Sequence, residues 1–271
     1  MFDFTTITGL ILFIMESVKQ LYLYFKVFNR AYDIWYFPFQ LCSVPMYLSI
    51  IILCLRASRY RAGKCNTDNH NAENESGTGK YNTGDYDIGK CSTGDYTADK
   101  YVTGKCSTGL DMETALLLFI RDYGMLGGIM ALIVHDGLIH PGHFFLTLHG
   151  FIWHILLILM SVYIAAKRCE KPFCMLSSFK MTVTPFLICA AIAEAFNILF
   201  SKYGDCDMFY ISPYHLSSQP VFSSIDMAIG RIPGIIFYLL CVMFGGFIIH
   251  AAFTAVLKLR RSYASDNSLL P

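Results

Sequence analysis

The sequence predicts an all-α membrane protein with six transmembrane helices and a low-complexity cytoplasmic loop between helices two and three. Composition is the first of three observations behind this reading: 55% of residues are hydrophobic and only 15% are charged, with a mean hydropathy of +0.46. A soluble domain carries about a quarter charged residues. Second, the charge is segregated into a middle block and the loops, leaving long uncharged runs. Third, several of those runs reach the roughly 20 residues needed to cross about 30 Å of hydrocarbon at about 1.5 Å per residue. The net charge of +1 gives no basic surface for nucleic acid.

The first run, 4–25, is interrupted by Glu16 and Lys19, which are three apart and share a helical face where they can pair. It lacks the basic start and small-residue cleavage site of a secretory leader, so it reads as a span. The second run is 37–55. The third, 112–134, carries Gly124, Gly127 and Gly128, which permit close helix contact. The remaining runs are 143–166, 180–200 and 232–256.

Orientation follows from Lys and Arg in the loops. Arg56, Arg59, Arg61 and Lys64 follow span two, Lys167, Arg168 and Lys171 follow span four, and Lys258, Arg260 and Arg261 follow span six. These clusters fall on one side if six spans place both termini in the cytoplasm, which predicts a multi-pass cell-membrane protein. The chain then divides into helices one and two (1–56), the loop (57–110), helices three to six (111–257) and a cytoplasmic tail (258–271).

Segment 57–110 is a different material, polar and rich in Gly, Thr, Asn and Asp. It repeats with a period of ten: Gly79-Lys80-Tyr81-Asn82-Thr83-Gly84-Asp85-Tyr86, then Gly89-Lys90-Cys91-Ser92-Thr93-Gly94-Asp95-Tyr96. Only Tyr and Cys recur as buriable side chains, too few to fill a solenoid core, so the segment reads as a loop without fixed structure. Its cysteines stand singly rather than in Cys-x-x-Cys pairs, so no metal site is expected. Cys65, Cys91, Cys106, Cys169 and Cys174 fall on the cytoplasmic side and are expected to stay reduced.

Ionisable groups inside spans are costly and ask for a partner or a role. Glu16, Lys19, Arg121, Asp122 and Glu194 form one expected intramembrane polar network; His154 and His250 read as helix-to-helix hydrogen bonders, and Cys54, Cys189 and Cys241 as small apolar groups. Cys42 and His149 stand apart. On the six-span reading both lie near the outer face, about 7 Å and 9 Å deep. A thiol in apolar surroundings is inert. An imidazole beside it can take its proton and make a thiolate nucleophile for acyl transfer. Residues alone leave both readings open, an idle packing pair or a nucleophile with its base.

Three motifs sharpen the choice. Phe37-Pro38-Phe39-Gln40-Leu41-Cys42 opens span two. Tyr123-Gly124-Met125-Leu126-Gly127-Gly128 in span three leads to Phe145-Leu146-Thr147-Leu148-His149-Gly150 in span four. Asn197 in span five is followed by Asp207-Met208-Phe209-Tyr210-Ile211 and Pro213. In their order and spacing these resemble the YwaF-type family of integral membrane proteins, whose animal relatives include a thiol-dependent phospholipid acyltransferase. Here Gln40 stands where the family has His, and Asp207 where it has Asn.

The resemblance implies six spans, Cys42 as nucleophile, His149 as base, and membrane lipids as substrates, either a phospholipid or a lysophospholipid, with no metal, organic cofactor or nucleic acid. Gln40 and Asn197 are candidate oxyanion donors. The expected function is a lipid acyltransferase or lipid hydrolase. The alternative is a non-enzymatic transporter subunit or lipid-binding partner protein, with Arg121, Asp122 and Glu194 along a pathway.

Overall fold

A computed structural model describes residues 3–74, 112–168 and 175–267. Its long helices are α1 (Phe4–Tyr22), α2 (Val44–Asn74), α3 (Met112–Ile133), α4 (Phe144–Arg168), α5 (Met175–Phe200) and α7 (Arg231–Asn267), with a short α6 (Pro220–Ile229) before the last. No strand occurs among the described residues. Asp3 caps α1 by a reciprocal pair of bonds with Thr6, supplying partners to a helix end that otherwise lacks them. Five stretches are long and apolar enough to cross a membrane: Phe4–Val27, Met112–Ile133, Phe144–Lys167, Met175–Tyr203 and Arg231–Arg260. That is the make-up of a multi-pass membrane protein.

α3 is the central helix. It packs on α2, α4, α5 and α7, while α1 lies across α2 and α4. In the apolar window of α3, 61% of residues are buried, against 17% in that of α7, so α3 is the hub and α7 presents most of its surface outward. The α3–α4 contact depends on Gly128: a Cβ there would lie 2.7 Å from Ile158 Cγ1 and 3.0 Å from the His154 carbonyl oxygen. One end of the bundle is tied by charge. Arg56 pairs with Asp3 at 3.0 Å and with Glu113 at 2.7 Å, and Arg59 pairs with Glu113 at 2.9 Å, which joins the starts of α1 and α3 to α2.

Three expectations change. The helix expected over 37–55 begins only at Val44. Pro38 cannot donate a backbone hydrogen bond and restricts the residue before it, so 37–43 forms turns, and Pro45 sits in the first turn of α2, where a missing N–H costs nothing. Cys42 is therefore a turn residue. The uninterrupted apolar part of α2, 44–55, is about 18 Å long, which is why α2 is absent from the five. Second, helix continues through Asn74, so 57–74 is not the irregular segment expected; its start, Arg56-Ala57-Ser58-Arg59, contains good helix formers held by the Asp3 and Glu113 pairs. The repeats lie in 75–110, outside the described residues. Residues 201–231 carry α6 and two 3-10 turns, Ser201–Tyr203 and Met208–Tyr210. Third, the intramembrane polar residues do not form one network.

A candidate thiol and imidazole site

That network separates into independent groups. Glu16 and Lys19 pair with each other at 2.7 Å. Glu194 is near Asn197, whose Nδ2 donates to it at 3.4 Å. Arg121 donates to Asp122 at 2.7 Å, and the other carboxylate oxygen of Asp122 lies 2.7 Å from His250 Nδ1. His250 Nε2 meets the Ser178 hydroxyl at 2.8 Å. All four side chains are buried, so Arg121 and Asp122 of α3 neutralise each other and bond on to α7 and α5.

Cys42 and His149 come together at one cavity of about 210 Å³. α1 contributes Glu16 and Lys19 to its wall, the turns before α2 contribute Trp35, Gln40, Cys42 and Ser43, α4 contributes His149, Trp153 and His154, and the far loop contributes Tyr210. α3 closes the space behind the thiol: a Cβ at Gly127 would lie 3.7 Å from Cys42 Cβ. The volume falls below the roughly 300–1,000 Å³ of typical small-molecule sites, which leaves room for a small group rather than a large ligand.

Trp153 links the two candidate residues. Residues 149 and 153 are four apart and so share a face of α4. The Trp153 ring stacks on His149 with centroids 5.5 Å apart at 27°. Its Nε1 donates to the carbonyl oxygen of Cys42 at 3.2 Å, an acceptor that the turn conformation leaves open. His149 is only 8% exposed, and its Nε2 is a buried atom without a hydrogen-bond partner. Of the other cavity histidines, His154 Nδ1 lies 2.7 Å from the Gly150 carbonyl and His140 Nδ1 lies 3.1 Å from that of Leu138. Buried polar atoms are normally satisfied, so His149 Nε2 is a group with spare capacity to take or give a proton.

Gln40 and Asn197 are occupied elsewhere. Asn197 is fully buried. It accepts from the N–H of Met208 at 2.6 Å and donates to the Met208 carbonyl at 3.1 Å. Gln40 accepts from the N–H of Phe209 at 2.9 Å and donates to the Asp207 carbonyl at 3.0 Å. Both amides thus clamp one turn. Arg231 adds to the hold, donating to the Tyr210 carbonyl at 2.9 Å and the Ser212 carbonyl at 2.7 Å. The turn needs holding, because Phe209 and Tyr210 have φ of 58° and 59°, a left-handed conformation costing roughly 1–2 kcal/mol for each side-chain-bearing residue.

Asp207, at the base of this turn, is 2% exposed. Burial pushes its carboxyl above the usual carboxylate range and Asp226 adds to the rise, against the Ser212 N–H bond and the Arg231 charge. Sequence reasoning missed Trp153 and Tyr210. The spacing of four from His149 was a signal for Trp153. Tyr210 lies in a stretch whose motif was visible, but its arrival at the cavity depends on the turn. Among the described residues no group of three or more His, Cys, Asp and Glu side chains is arranged to hold a metal ion. Compared with known proteins, the chain matches no family profile, no curated protein and no solved structure.

Proposed function

We propose that this protein is a six-span YwaF-like lipid acyltransferase or lipid hydrolase of the cell membrane, with both termini cytoplasmic and the cavity toward the outer leaflet. Cys42 is the nucleophile and His149 the base. The observation that carries the reading is the cavity lined by both Cys42 and an unpartnered His149 nitrogen, with Trp153 stacked on the His149 ring and bonded to the Cys42 backbone carbonyl.

His149 takes the thiol proton, and the thiolate sulfur attacks the carbonyl carbon of an acyl ester. The ester C–O bond breaks and the leaving alcohol recovers the proton from His149. The thioester then passes its acyl group to a lysolipid hydroxyl or to water. A cavity of about 210 Å³ suits the glycerol-ester region of a phospholipid or lysophospholipid, with its chains remaining in the bilayer. Lys19 and Glu16 place both charges at the wall for a zwitterionic head group.

The test is Cys42→Ala in the full-length protein reconstituted in phospholipid nanodiscs. Labelling by an acyl-thioester lipid probe and turnover of a fluorescent phosphatidylcholine should both vanish. Undiminished turnover would sink the mechanism. The Arg121–Asp122–His250–Ser178 group favours a second reading, a membrane transport module, because buried ionisable chains across helices also mark ion pathways. On that reading Asp122→Asn abolishes ion-coupled uptake into vesicles while Cys42→Ala changes nothing.

A further inference from the structure

The turn that carries Phe209 and Tyr210 is strained, and its hold comes from three separate parts of the chain: Gln40 ahead of α2, Asn197 in α5 and Arg231 at the start of α7. Two successive side-chain-bearing residues with positive φ persist only when their surroundings over-determine them, and such strain concentrates at functional sites. What the turn delivers is Tyr210. It is partly exposed, whereas the four residues before it, 206–209, are buried, and it lines the cavity with Cys42 and His149.

The Tyr210 ring is fixed on its flanks by two near-perpendicular aromatic neighbours, Trp35 at 6.4 Å and 62° and Tyr238 at 6.5 Å and 81°. The Gln219 side chain lies near the phenol and favours its charged form. Burial, and next the neighbouring Cys42, push the phenol above its ordinary value, so it keeps its proton as a donor over the working pH range.

Acyl transfer to a thiolate requires such a donor, because negative charge builds on the carbonyl oxygen as the C–S bond forms. Three of the other polar groups at the cavity are engaged. Gln40 holds the turn, Lys19 is paired with Glu16, and the Trp153 N–H is spent on the Cys42 carbonyl.

We propose that Tyr210 is a further catalytic residue of the Cys42–His149 site, donating its phenolic hydrogen bond to the oxyanion of the tetrahedral intermediate; this rests on the acyl-transfer reading above. The thiolate sulfur bonds to the ester carbonyl carbon and the C=O π pair moves to oxygen, which Tyr210 then holds. On collapse the pair returns, the ester C–O bond breaks, and the alcohol leaves with the proton stored on His149. Tyr210 gives up no proton of its own, so it is ready for the deacylation half-reaction without a reset.

The experiment uses the full-length protein in detergent micelles with p-nitrophenyl octanoate as probe. Acylation is read as nitrophenolate release above the Cys42→Ala background, and thiol activation as peptide-resolved iodoacetamide alkylation of Cys42 against pH. Tyr210→Phe should slow acylation by about 10²–10³-fold and leave the alkylation profile unmoved. 3,5-Difluorotyrosine at position 210, of the same shape but a stronger donor, should restore at least the wild-type rate. Tyr210→Phe acylating within a small factor of wild type overturns the proposal, as does loss carried by Ser43→Ala instead. A parallel fall in alkylation also overturns it, because that result marks a packing role. Full activity in Cys42→Ala overturns the underlying thiol reading, and this proposal with it.

Discussion

Asp207 is a carboxylate with more demands on it than one charge satisfies. It accepts from the Ser212 N–H at 2.8 Å and lies 3.5 Å from Arg231. That guanidinium also serves Asp226 at 2.6 Å. Burial, reinforced by the second carboxylate, raises the Asp207 pKa above its ordinary value against the Ser212 bond and the Arg231 charge. A raised folded-state pKa gives stability that is present below the unfolded value of about 3.9 and is lost as pH rises through the folded one. Asp207→Asn keeps the acceptor for Ser212 and removes the titration. Its melting temperature should exceed wild type at about pH 7.5, with the difference shrinking at about pH 4.5. A gap that widens toward acid would contradict this. At this scale Cys42 and His149 were legible because polar groups are rare in apolar runs. Gln40 and Asn197 were legible as unusual residues, but their task was not, because it depends on a turn more than a hundred positions from Gln40 in the chain.

Helices meet here where a side chain is missing. Gly128 lets α3 approach the α4 backbone at His154, and the carbonyl there has no rotamer by which to move aside. Gly127, one position earlier, would meet only Cys42, at an ordinary 3.7 Å. Gly128→Ala should therefore lose about 1–3 kcal/mol by overpacking. Gly127→Ala should be neutral or gain about 0.5–1 kcal/mol from the reduced freedom of its unfolded chain. Differential scanning fluorimetry of both variants checks the contrast, and equal responses would refute it. The glycines announced close packing in the sequence, but which one faces a backbone depends on the rotation of α3. Element starts were legible only where no proline intervened: Phe37, Pro38 and Phe39 extend the apolar run of α2 although Pro38 ends its helix. α6 was hidden for a simpler reason, since ten residues carry too little periodicity to stand out in a loop.

Five of the helices were readable from length and hydropathy alone, because an apolar run of that size has few other destinations. The molecule is polarised: ion pairs of Asp3, Arg56, Arg59 and Glu113 close one end, while the Cys42 cavity lies toward the other. The helical apolar part of α2 has a consequence for the surrounding lipid. On the six-span reading it falls short of a bilayer core by about 12 Å. The turn residues ahead of it are shielded by protein, with Phe37 and Phe39 stacked on Phe196, as irregular backbone at membrane depth requires. Hydrophobic mismatch of this kind draws the head-group layer inward beside the short helix. Cys42 stands just ahead of its first turn, where on the acyl-transfer reading sunken lipid esters come within reach. Turnover of a fixed phosphatidylcholine probe should therefore be faster in nanodiscs of fourteen-carbon lipids than in those of twenty-two-carbon lipids, and a rate indifferent to thickness would count against it. On the acyl-transfer reading the short helix acts on the solvent as much as on the fold, bringing the substrate to the thiol by deforming the membrane that holds it.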